Sequence, residues 1–123
     1  IRYTANWLGT HTEKKFTEFG ISSQQYNVLR ILRGAKESLK VSVVKDRMIE
    51  KTPNTTRLMD KLCVKELIAR TRCDSDRRAV YVEITKKGLE LLDNIPMEDD
   101  MKILSKITED EAKELSRLLD KIR

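Results

Sequence analysis

The chain has 123 residues and a net charge of +5, and 37 % of its residues are charged. This length suits one domain, and because only 5 % of the residues are aromatic, the core must consist mainly of leucine, isoleucine, valine and methionine. No apolar run approaches the length of a membrane-spanning helix, and the scarcity of glycine and proline favours helices.

The first third of the chain predicts two helices. Residues 1–19 supply most of the aromatic side chains, and Gly20 is well placed to end a helix there. Ser22 and Gln25 form the pattern of a capping box, in which each side chain binds the other residue's backbone N–H, so a second helix is expected to begin here. Residues 39–41 are too short for more than a single edge strand.

Residues 42–67 have the spacing of a short helix, a tight turn and a second helix, which is that of a helix-turn-helix. Ser42 is expected to cap a helix over residues 43–49. Thr52 is expected to cap the second helix, with proline at its first position, so that this helix covers residues 53–67.

A β-hairpin is predicted directly after the second helix, with strands over residues 68–73 and 79–84. Apolar residues alternate along the second strand and are expected to pin the hairpin to the core. The tip would then hold Arg77 and Arg78 away from the body, where a guanidinium can enter the minor groove of a duplex. Asp76 is close enough in sequence to orient an arginine through a charged hydrogen bond.

The last third again predicts helices. Thr85 is expected to cap a helix over residues 86–95, which Pro96 interrupts or bends. The helical signal continues over residues 97–107, and Thr108 begins a second capping box. Apolar residues in the final helix repeat at spacings of three and four, which makes a narrow apolar seam.

The second helix of the helix-turn-helix has two distinct faces on a helical wheel. Its polar and basic residues lie within a sector of about 80°, and they are Asn54, Arg57, Lys61 and Lys65. The neighbouring sector is apolar and consists of Leu58, Met59 and Leu62. A core face beside a basic, hydrogen-bonding face suits a helix in the major groove, although an ordinary amphipathic surface helix has the same pattern.

Positive charge is concentrated around this segment. Residues 40–87 carry 13 basic and 7 acidic side chains, a net charge of +6, whereas residues 88–123 carry 6 basic and 10 acidic ones, a net charge of −4. A basic middle segment suits a polyanion such as nucleic acid. A solvated, lysine-rich surface gives the same charge pattern, but the order helix, turn, helix and basic ribbon is far rarer than its parts.

From about Ile21 to Leu92 the chain resembles the MarR-type winged-helix transcriptional regulators. The matching segments are ISSQQYNVLRIL, TTRLMDKL, DSDRRAVYVEIT and TKKGLELL. The resemblance implies a mainly α fold with a small β-wing, in which a winged helix-turn-helix lobe carries N- and C-terminal dimerisation helices. These parts form one intertwined domain, with a dimerisation helix in residues 1–20, the DNA-binding lobe in 21–92 and further dimerisation helices in 93–123.

The same resemblance implies how DNA is bound. The recognition helix, residues 53–67, would enter the major groove of an inverted-repeat operator in double-stranded DNA, and the wing, residues 70–84, the minor groove. The candidate DNA-binding residues are Asn54, Thr55, Thr56, Arg57, Lys61, Arg77 and Arg78. Arg57 is expected to read base edges, and Thr55 and Thr56 to reach phosphates. Asp76 matches the acidic residue that holds the shape of the wing.

One position departs from the family pattern. Most members have glycine where this chain has Glu66, just before the hydrophobic residue that starts the wing. Glycine there ends the recognition helix in a left-handed conformation at low cost. Glutamate is expected either to add strain or to lengthen the helix.

The resemblance also implies a bacterial homodimer that represses, or less often activates, transcription and that a small molecule or an oxidant releases from DNA. A second copy would bury the apolar residues of the terminal helices, although these residues could instead complete a monomeric core. Trp7, His11 and Tyr26 are candidates for lining an effector pocket, but plain core or surface packing is the simpler explanation for each of them. Oxidation at Cys63 or Cys73 could also disturb DNA binding.

The sequence also bears on two other classes of function, an enzyme and a protein–protein interaction module. The chain has one histidine and no CxxC spacing, Ser/His/Asp order, paired carboxylates in an apolar setting or glycine-rich phosphate loop, so it predicts no metal, no cofactor and no enzyme. Reduced thiols fit a cytoplasmic protein. A helical protein–protein interaction module that keeps the winged-helix shape without binding DNA is the alternative to a regulator.

Overall fold

The computed structural model describes residues 1–96 and 102–123. Its helices are α1 Arg2–Glu18, α2 Ser23–Ala35, α3 Val41–Arg47, α4 Thr55–Val64, α5 Lys86–Asn94 and α6 Glu109–Ile122, and its strands are β1 Leu39–Lys40, β2 Ile68–Arg72 and β3 Val80–Ile84. The fold is therefore mainly α with a small β-wing, as predicted. Of the helical signal expected over residues 97–107, residues 97–101 lie outside the described part, and residues 102–104 are helical.

Local hydrogen bonds begin the helices where the sequence patterns indicate. The Ser22 hydroxyl accepts from the N–H of Gln25 at 3.2 Å, and the Gln25 side chain accepts from the N–H of Ser22 at 3.0 Å. Thr108 begins α6 with a second capping box, and the Thr85 hydroxyl caps α5. These bonds satisfy backbone donors that have no partner inside the helix.

The sheet is antiparallel with the strand order β1-β3-β2. Leu39 of β1 pairs with Val82 of β3, so residues 39 and 40 form the short edge strand that was expected. The two wing strands lie within one residue of their predicted bounds. Val82 is fully buried and attaches the ribbon to the core.

The core lies between α2, the helix-turn-helix and the inner face of the sheet. Its fully buried side chains are Val28, Leu29, Leu32, Val44, Met59, Leu62 and Val82. Leu92 and Ile95 close it at the end of α5. Since α2 supplies three of the seven, it is the central helix on which the other elements of the lobe are packed.

Both helices of the helix-turn-helix differ from the expected bounds. α3 covers Val41–Arg47 with Lys40 as its N-cap, so Ser42 lies inside the helix and does not cap it. β1 leads into α3 without a connecting loop, which shifts the helix start towards the N-terminus. α4 begins at Thr55, with Asn54 as N-cap, because the Thr52 hydroxyl accepts from the N–H of Asn54 at 3.3 Å and holds Pro53 in a turn.

The end of α4 resolves the question raised by Glu66. The helix ends at Val64, and Glu66 adopts the left-handed conformation with φ of 60°. The N–H of Leu67 donates to the carbonyl of Leu62 at 3.0 Å, and the N–H of Glu66 to the carbonyl of Cys63 at 2.9 Å, which is a Schellman motif. The glutamate therefore does not lengthen the helix but occupies a conformation that glycine adopts at lower cost.

Candidate nucleic-acid interface

The recognition helix α4 packs one side on the core and presents the other to solvent. Leu58, Met59 and Leu62 are buried, as the wheel predicted. The opposite side carries Thr56, Arg57, Asp60 and Val64, all exposed. Asn54 and Lys61 are also exposed and border this side. The helix thus offers a polar surface that includes Arg57.

The structure places Thr55 differently from the prediction. Its side chain is 5 % exposed, and its hydroxyl donates to the backbone carbonyl of Thr52 at 3.1 Å. A hydroxyl that already donates inside the protein has no proton left for a phosphate oxygen. The Thr55 hydroxyl is therefore engaged within the turn, and its expected phosphate contact stays a prediction, whereas Thr56, the next residue, is exposed.

The basic sector drawn on the wheel does not extend to Lys65. The helix has ended by then, and the ammonium of Lys65 donates to the backbone carbonyl of Gly20 at the junction of α1 and α2. Lys65 therefore anchors the end of α4 to the first two helices. Lys61, one turn earlier, lies on the same flank and remains exposed.

An ion pair between the recognition helix and the wing was not anticipated. The Arg70 guanidinium on β2 lies 2.9 Å from a carboxylate oxygen of Asp60 on α4. Asp60 lies beside Arg57 on the outward side of the helix, so its pairing with Arg70 reduces negative charge on that side. The three-residue spacing of Arg57 and Asp60 indicates from the sequence that both lie on the same side of the helix. No local pattern in the sequence indicates that Arg70 pairs with Asp60.

The tip of the wing is held by Asp76. Its carboxylate accepts from the backbone N–H of Arg78 at 3.0 Å, and its carbonyl accepts from the N–H of Ala79, also at 3.0 Å. Asp76 therefore shapes the turn through the backbone and not through a guanidinium, which corrects the expected arginine contact. Arg77 and Arg78 are both exposed at this tip.

The base of the wing is fixed by Thr85. Its N–H donates to the carbonyl of Leu67 at 3.1 Å, its hydroxyl donates to the carbonyl of Glu66 at 2.7 Å, and the same hydroxyl accepts from the N–H of Gly88 at 3.1 Å. Gly88 packs so closely that a Cβ there would lie 2.3 Å from the carbonyl oxygen of Leu67. These contacts join the end of the recognition helix, the wing and α5.

A cysteine on the wing has an altered acidity. Hydrogen bonds from the Ser75 hydroxyl, and then from the backbone N–H groups of Asp76 and Ser75, lower the pKa of the Cys73 thiol below its ordinary value. The Cys73 sulfur lies 3.0 Å from the Ser75 oxygen. A larger fraction of Cys73 is therefore thiolate at neutral pH than for an ordinary cysteine, and the thiolate is the reactive form.

The three candidate effector residues do not share one cavity. Trp7 and His11 stack on each other along α1, with ring centroids 5.9 Å apart, and both are exposed. Tyr26 instead stacks on Phe16 at 4.1 Å and lines a groove of about 580 Å³ between α1 and α2. The guanidinium of Arg30 lies 5.9 Å from the centre of the Tyr26 ring.

Residues 1–96 and 102–123 contain neither a membrane-spanning helix nor a cluster of metal ligands. No helix in these ranges is both long and apolar enough to cross a membrane. They also contain no group of three or more His, Cys, Asp or Glu side chains arranged to bind a metal ion.

Comparison with known proteins decides the family. The sequence model of the transcriptional regulator SarA/Rot family matches residues 11–95. The chain belongs to this family of transcriptional regulators. The curated regulator MhqR of Bacillus subtilis is similar to it, with 26 % identity over 118 residues that cover 94 % of this chain and 81 % of MhqR.

Solved structures place this SarA/Rot family member among the MarR-type winged-helix regulators. A MarR transcription factor from Planctomyces limnophilus is 34 % identical, with a TM-score of 0.66, and the match covers 97 % of this chain and 93 % of that one. The S. aureus MepR–DNA complex has a TM-score of 0.86 at 21 % identity and covers 98 % and 91 %. The chain is accordingly a DNA-binding transcriptional regulator of the MarR type and not an enzyme.

Proposed function

We propose that this regulator is a homodimeric repressor of bacterial genes that binds an inverted-repeat operator in the cytoplasm and leaves it when a small molecule or an oxidant arrives. In this proposal α4 enters the major groove, and the wing, residues 70–84, reaches the adjacent minor groove. Residues 1–20 and 93–123 serve dimerisation, and residues 21–92 form the lobe that binds DNA.

One observation carries the proposal, the link between the exposed side of α4 and the wing. Arg57 projects from the outward side of α4, and the 2.9 Å pair of Asp60 with Arg70 ties that side to β2. The same ribbon carries Arg77 and Arg78 at its tip. One face of the lobe thus presents a helix and an arginine-tipped ribbon side by side, as reading two neighbouring grooves requires.

The side chains divide by the contacts that they can make. The planar guanidinium of Arg57 can donate two parallel hydrogen bonds to a guanine edge, the commonest specific contact in the major groove. Asn54, Thr56 and Lys61 border it and are suited to phosphates, which fix register without reading sequence. Arg77 and Arg78 suit the narrow minor groove.

The terminal helices support the dimer. α6 has no buried residue, although Leu115, Leu118, Leu119 and Ile122 lie along one side of it. Short helices are marginal in water unless they pack on something. A two-fold dimer would cover this seam and set two recognition helices about 34 Å apart, one turn of DNA.

Two features support a releasing signal. The groove between α1 and α2 falls within the size range of small-molecule sites, about 300–1,000 Å³, and it places the Tyr26 ring next to the Arg30 cation. That pair suits an aromatic or anionic effector. The lowered pKa of Cys73 supports release by an oxidant, since the reactive thiolate lies on the wing itself.

Arginine variants test the DNA contacts. Selection from random duplexes first supplies the operator, and fluorescence anisotropy at fixed salt then compares parent and variants. Arg57→Ala is expected to weaken operator binding by about 10- to 100-fold and to relax base preference at one position, as loss of a bidentate base contact does. Arg78→Ala is expected to weaken operator and random duplexes by similar, smaller factors.

Arg33→Ala is the matched control, because it removes the same charge from an arginine that lies beside Asp93 of α5. Arg33→Ala should change the affinity for operator DNA by no more than the loss of one positive charge explains. Affinity of the parent should also fall steeply as salt rises, because bound phosphates release counterions. The proposal is wrong if the Arg57 and Arg78 variants both bind the operator like the Arg33 variant, or if the parent shows no salt-dependent binding.

A further inference from the structure

The turn between α3 and α4 is held in an unusual way. Met48 is buried and anchors the start of the turn, but the next residue, Ile49, is 86 % exposed and Glu50 is exposed too. The turn therefore leaves the core immediately after Met48. Apolar packing does not fix its path from there to the first residue of α4, Thr55.

Two polar side chains of α2 bind this turn. The backbone N–H of Ile49 donates to the Asn27 side-chain oxygen at 3.0 Å, and the Gln24 amide donates to a carboxylate oxygen of Glu50 at 3.3 Å. A hollow of about 100 Å³, lined by these residues with Ser23 and Met48, lies under the turn. Hydrogen bonds across the hollow thus take the place of close packing.

The backbone N–H groups at the end of α3 show why the Asn27 bond matters more than the Gln24 bond. The N–H of Met48 still donates to the carbonyls of Val44 and Lys45 at the end of α3. The N–H of Ile49 is the first to lie beyond α3, and Asn27 supplies its acceptor. Gln24 and Glu50, by contrast, make an exposed contact between two flexible side chains, which contributes little.

We propose that Asn27 is a positioning residue for DNA recognition, in that it fixes the turn and so the place where α4 begins. The proposal rests on the proposed function. Asn27 is suited to this role because it is on the central helix α2, whose neighbouring residues Val28 and Leu29 are fully buried in the core. The N-terminal residues of α4, including Arg57, follow this turn, so the bond contributes to their position together with the burial of Thr55 and Leu58.

Loss of this bond should affect binding to the operator more than binding to DNA of random sequence. Reading base edges requires donors and acceptors to meet within tenths of an ångström, whereas phosphate attraction tolerates small displacements. Loss of the Asn27 acceptor should therefore lower affinity for the operator more than affinity for random duplex. The ratio of the two affinities isolates this effect from any change in overall charge.

Three variants of the full chain test the role. Asn27→Leu and Asn27→Ala remove the acceptor, and Asn27→Asp keeps an oxygen at the same place. We expect the first two to accelerate hydrogen exchange of the Ile49 amide in NMR spectra and to reduce the operator-to-random affinity ratio about fivefold to tenfold, the size of one net hydrogen bond. Asn27→Asp should keep the ratio of the parent, although its added charge weakens both affinities.

Each result bears on a defined claim. If Ile49 exchange accelerates while the ratio stays at the parental value, or if Asn27→Asp lowers the ratio as much as Asn27→Leu, the positioning role is overturned. Unchanged exchange in Asn27→Ala would overturn the bond itself. A parent that shows no preference for any selected operator would instead overturn the proposed function, and the positioning role with it.

Discussion

The winged-helix lobe and the terminal helix α6 differ in how far they bury their apolar side chains. In the lobe, from α2 to α5, residues such as Leu29, Met59 and Val82 are fully buried. In α6, Leu115 is 50 % exposed and Leu119 is 37 % exposed, although both lie on the apolar seam. The lobe therefore completes its core within one chain, whereas α6 does not.

In the proposed homodimer, this difference indicates where a second copy would pack. Burying one leucine fully contributes about 1.5–3 kcal/mol, so a half-exposed seam leaves much of that free energy unused. The lobe already buries its central apolar side chains within one chain, so its stability depends less on a partner. Changes in α6 should hence affect assembly, and changes in the lobe should affect the stability of the single chain or its contact with DNA.

The largest effect is expected from disrupting the seam of α6. Leu115→Ala with Leu119→Ala should convert a dimer to a monomer in sedimentation equilibrium and weaken operator binding about 100-fold or more, because linked half-sites are lost. Lys113→Ala with Asp120→Ala is the control, since it changes the other face of α6 without altering net charge. A double leucine variant that stays dimeric would show that the seam is not the interface.

A large effect on folding is expected at the base of the wing. Gly88→Ala would place a methyl group 2.3 Å from the carbonyl oxygen of Leu67, so it should lower the free energy of unfolding by about 2 kcal/mol, a typical cost of overpacking. Gly34→Ala is the control, because the added methyl group would have no atom within 4 Å apart from those of its chain neighbours and of the nearby backbone of its own helix.

In an α-helix alanine is favoured over glycine by about 0.5–1 kcal/mol, so Gly34→Ala should raise the free energy of unfolding. Urea denaturation measures both variants. Equal effects at the two glycines would contradict the tight contact between α5 and the wing.

A moderate effect is expected at the strained end of α4. Glu66→Gly should be more stable than Glu66→Ala by about 1 kcal/mol in urea denaturation, because alanine keeps the Cβ penalty of the left-handed conformation. Both variants lose the contact of Glu66 with Lys87, which lies 3.3 Å away, so that loss cancels in the comparison. If the alanine variant proves equally stable, Glu66 is not strained by its positive φ.

The smallest effect is expected at the wing tip, the part of the lobe without close packing. The Ser75 hydroxyl stabilises the Cys73 thiolate and so lowers the thiol pKa. The rate at which Cys73 reacts with a disulfide reagent, measured in Cys63→Ser, should rise with pH and reach half its maximum at a lower pH than for an ordinary cysteine thiol.

Ser75→Ala should move that midpoint upward, since the thiolate loses its strongest hydrogen bond. The operator affinity of this variant should stay unchanged while the thiol is reduced. An unchanged midpoint in Ser75→Ala would show that this hydrogen bond does not set the acidity of Cys73.

Local patterns and distant contacts contributed differently to what could be predicted. The Ser22 capping box acts between near neighbours in the chain, and the alternating apolar residues of β3 pack on the core as a whole. The helix start at Ser22 and the strand β3 were both predicted, and both are confirmed. Thr52 and Pro53 formed an equally good helix start on paper, yet a local turn holds them and α4 begins at Thr55. A threonine side chain can bind a backbone N–H in a turn as well as at a helix start, so the sequence pattern alone does not select between the two.

By itself, the sequence determined the winged-helix architecture, the family resemblance and a basic recognition helix followed by an arginine-tipped ribbon, because periodicity, caps and charge are encoded in neighbouring residues. Tertiary structure alone decided that Thr55 faces inward, that Lys65 binds Gly20, that Arg70 pairs with Asp60 and that Asn27 holds the turn. In each of those contacts, the distance between the two residues depends on how the elements pack, on where a helix ends or on the path of a turn. A helical wheel treats every residue as part of an endless helix and carries none of that information.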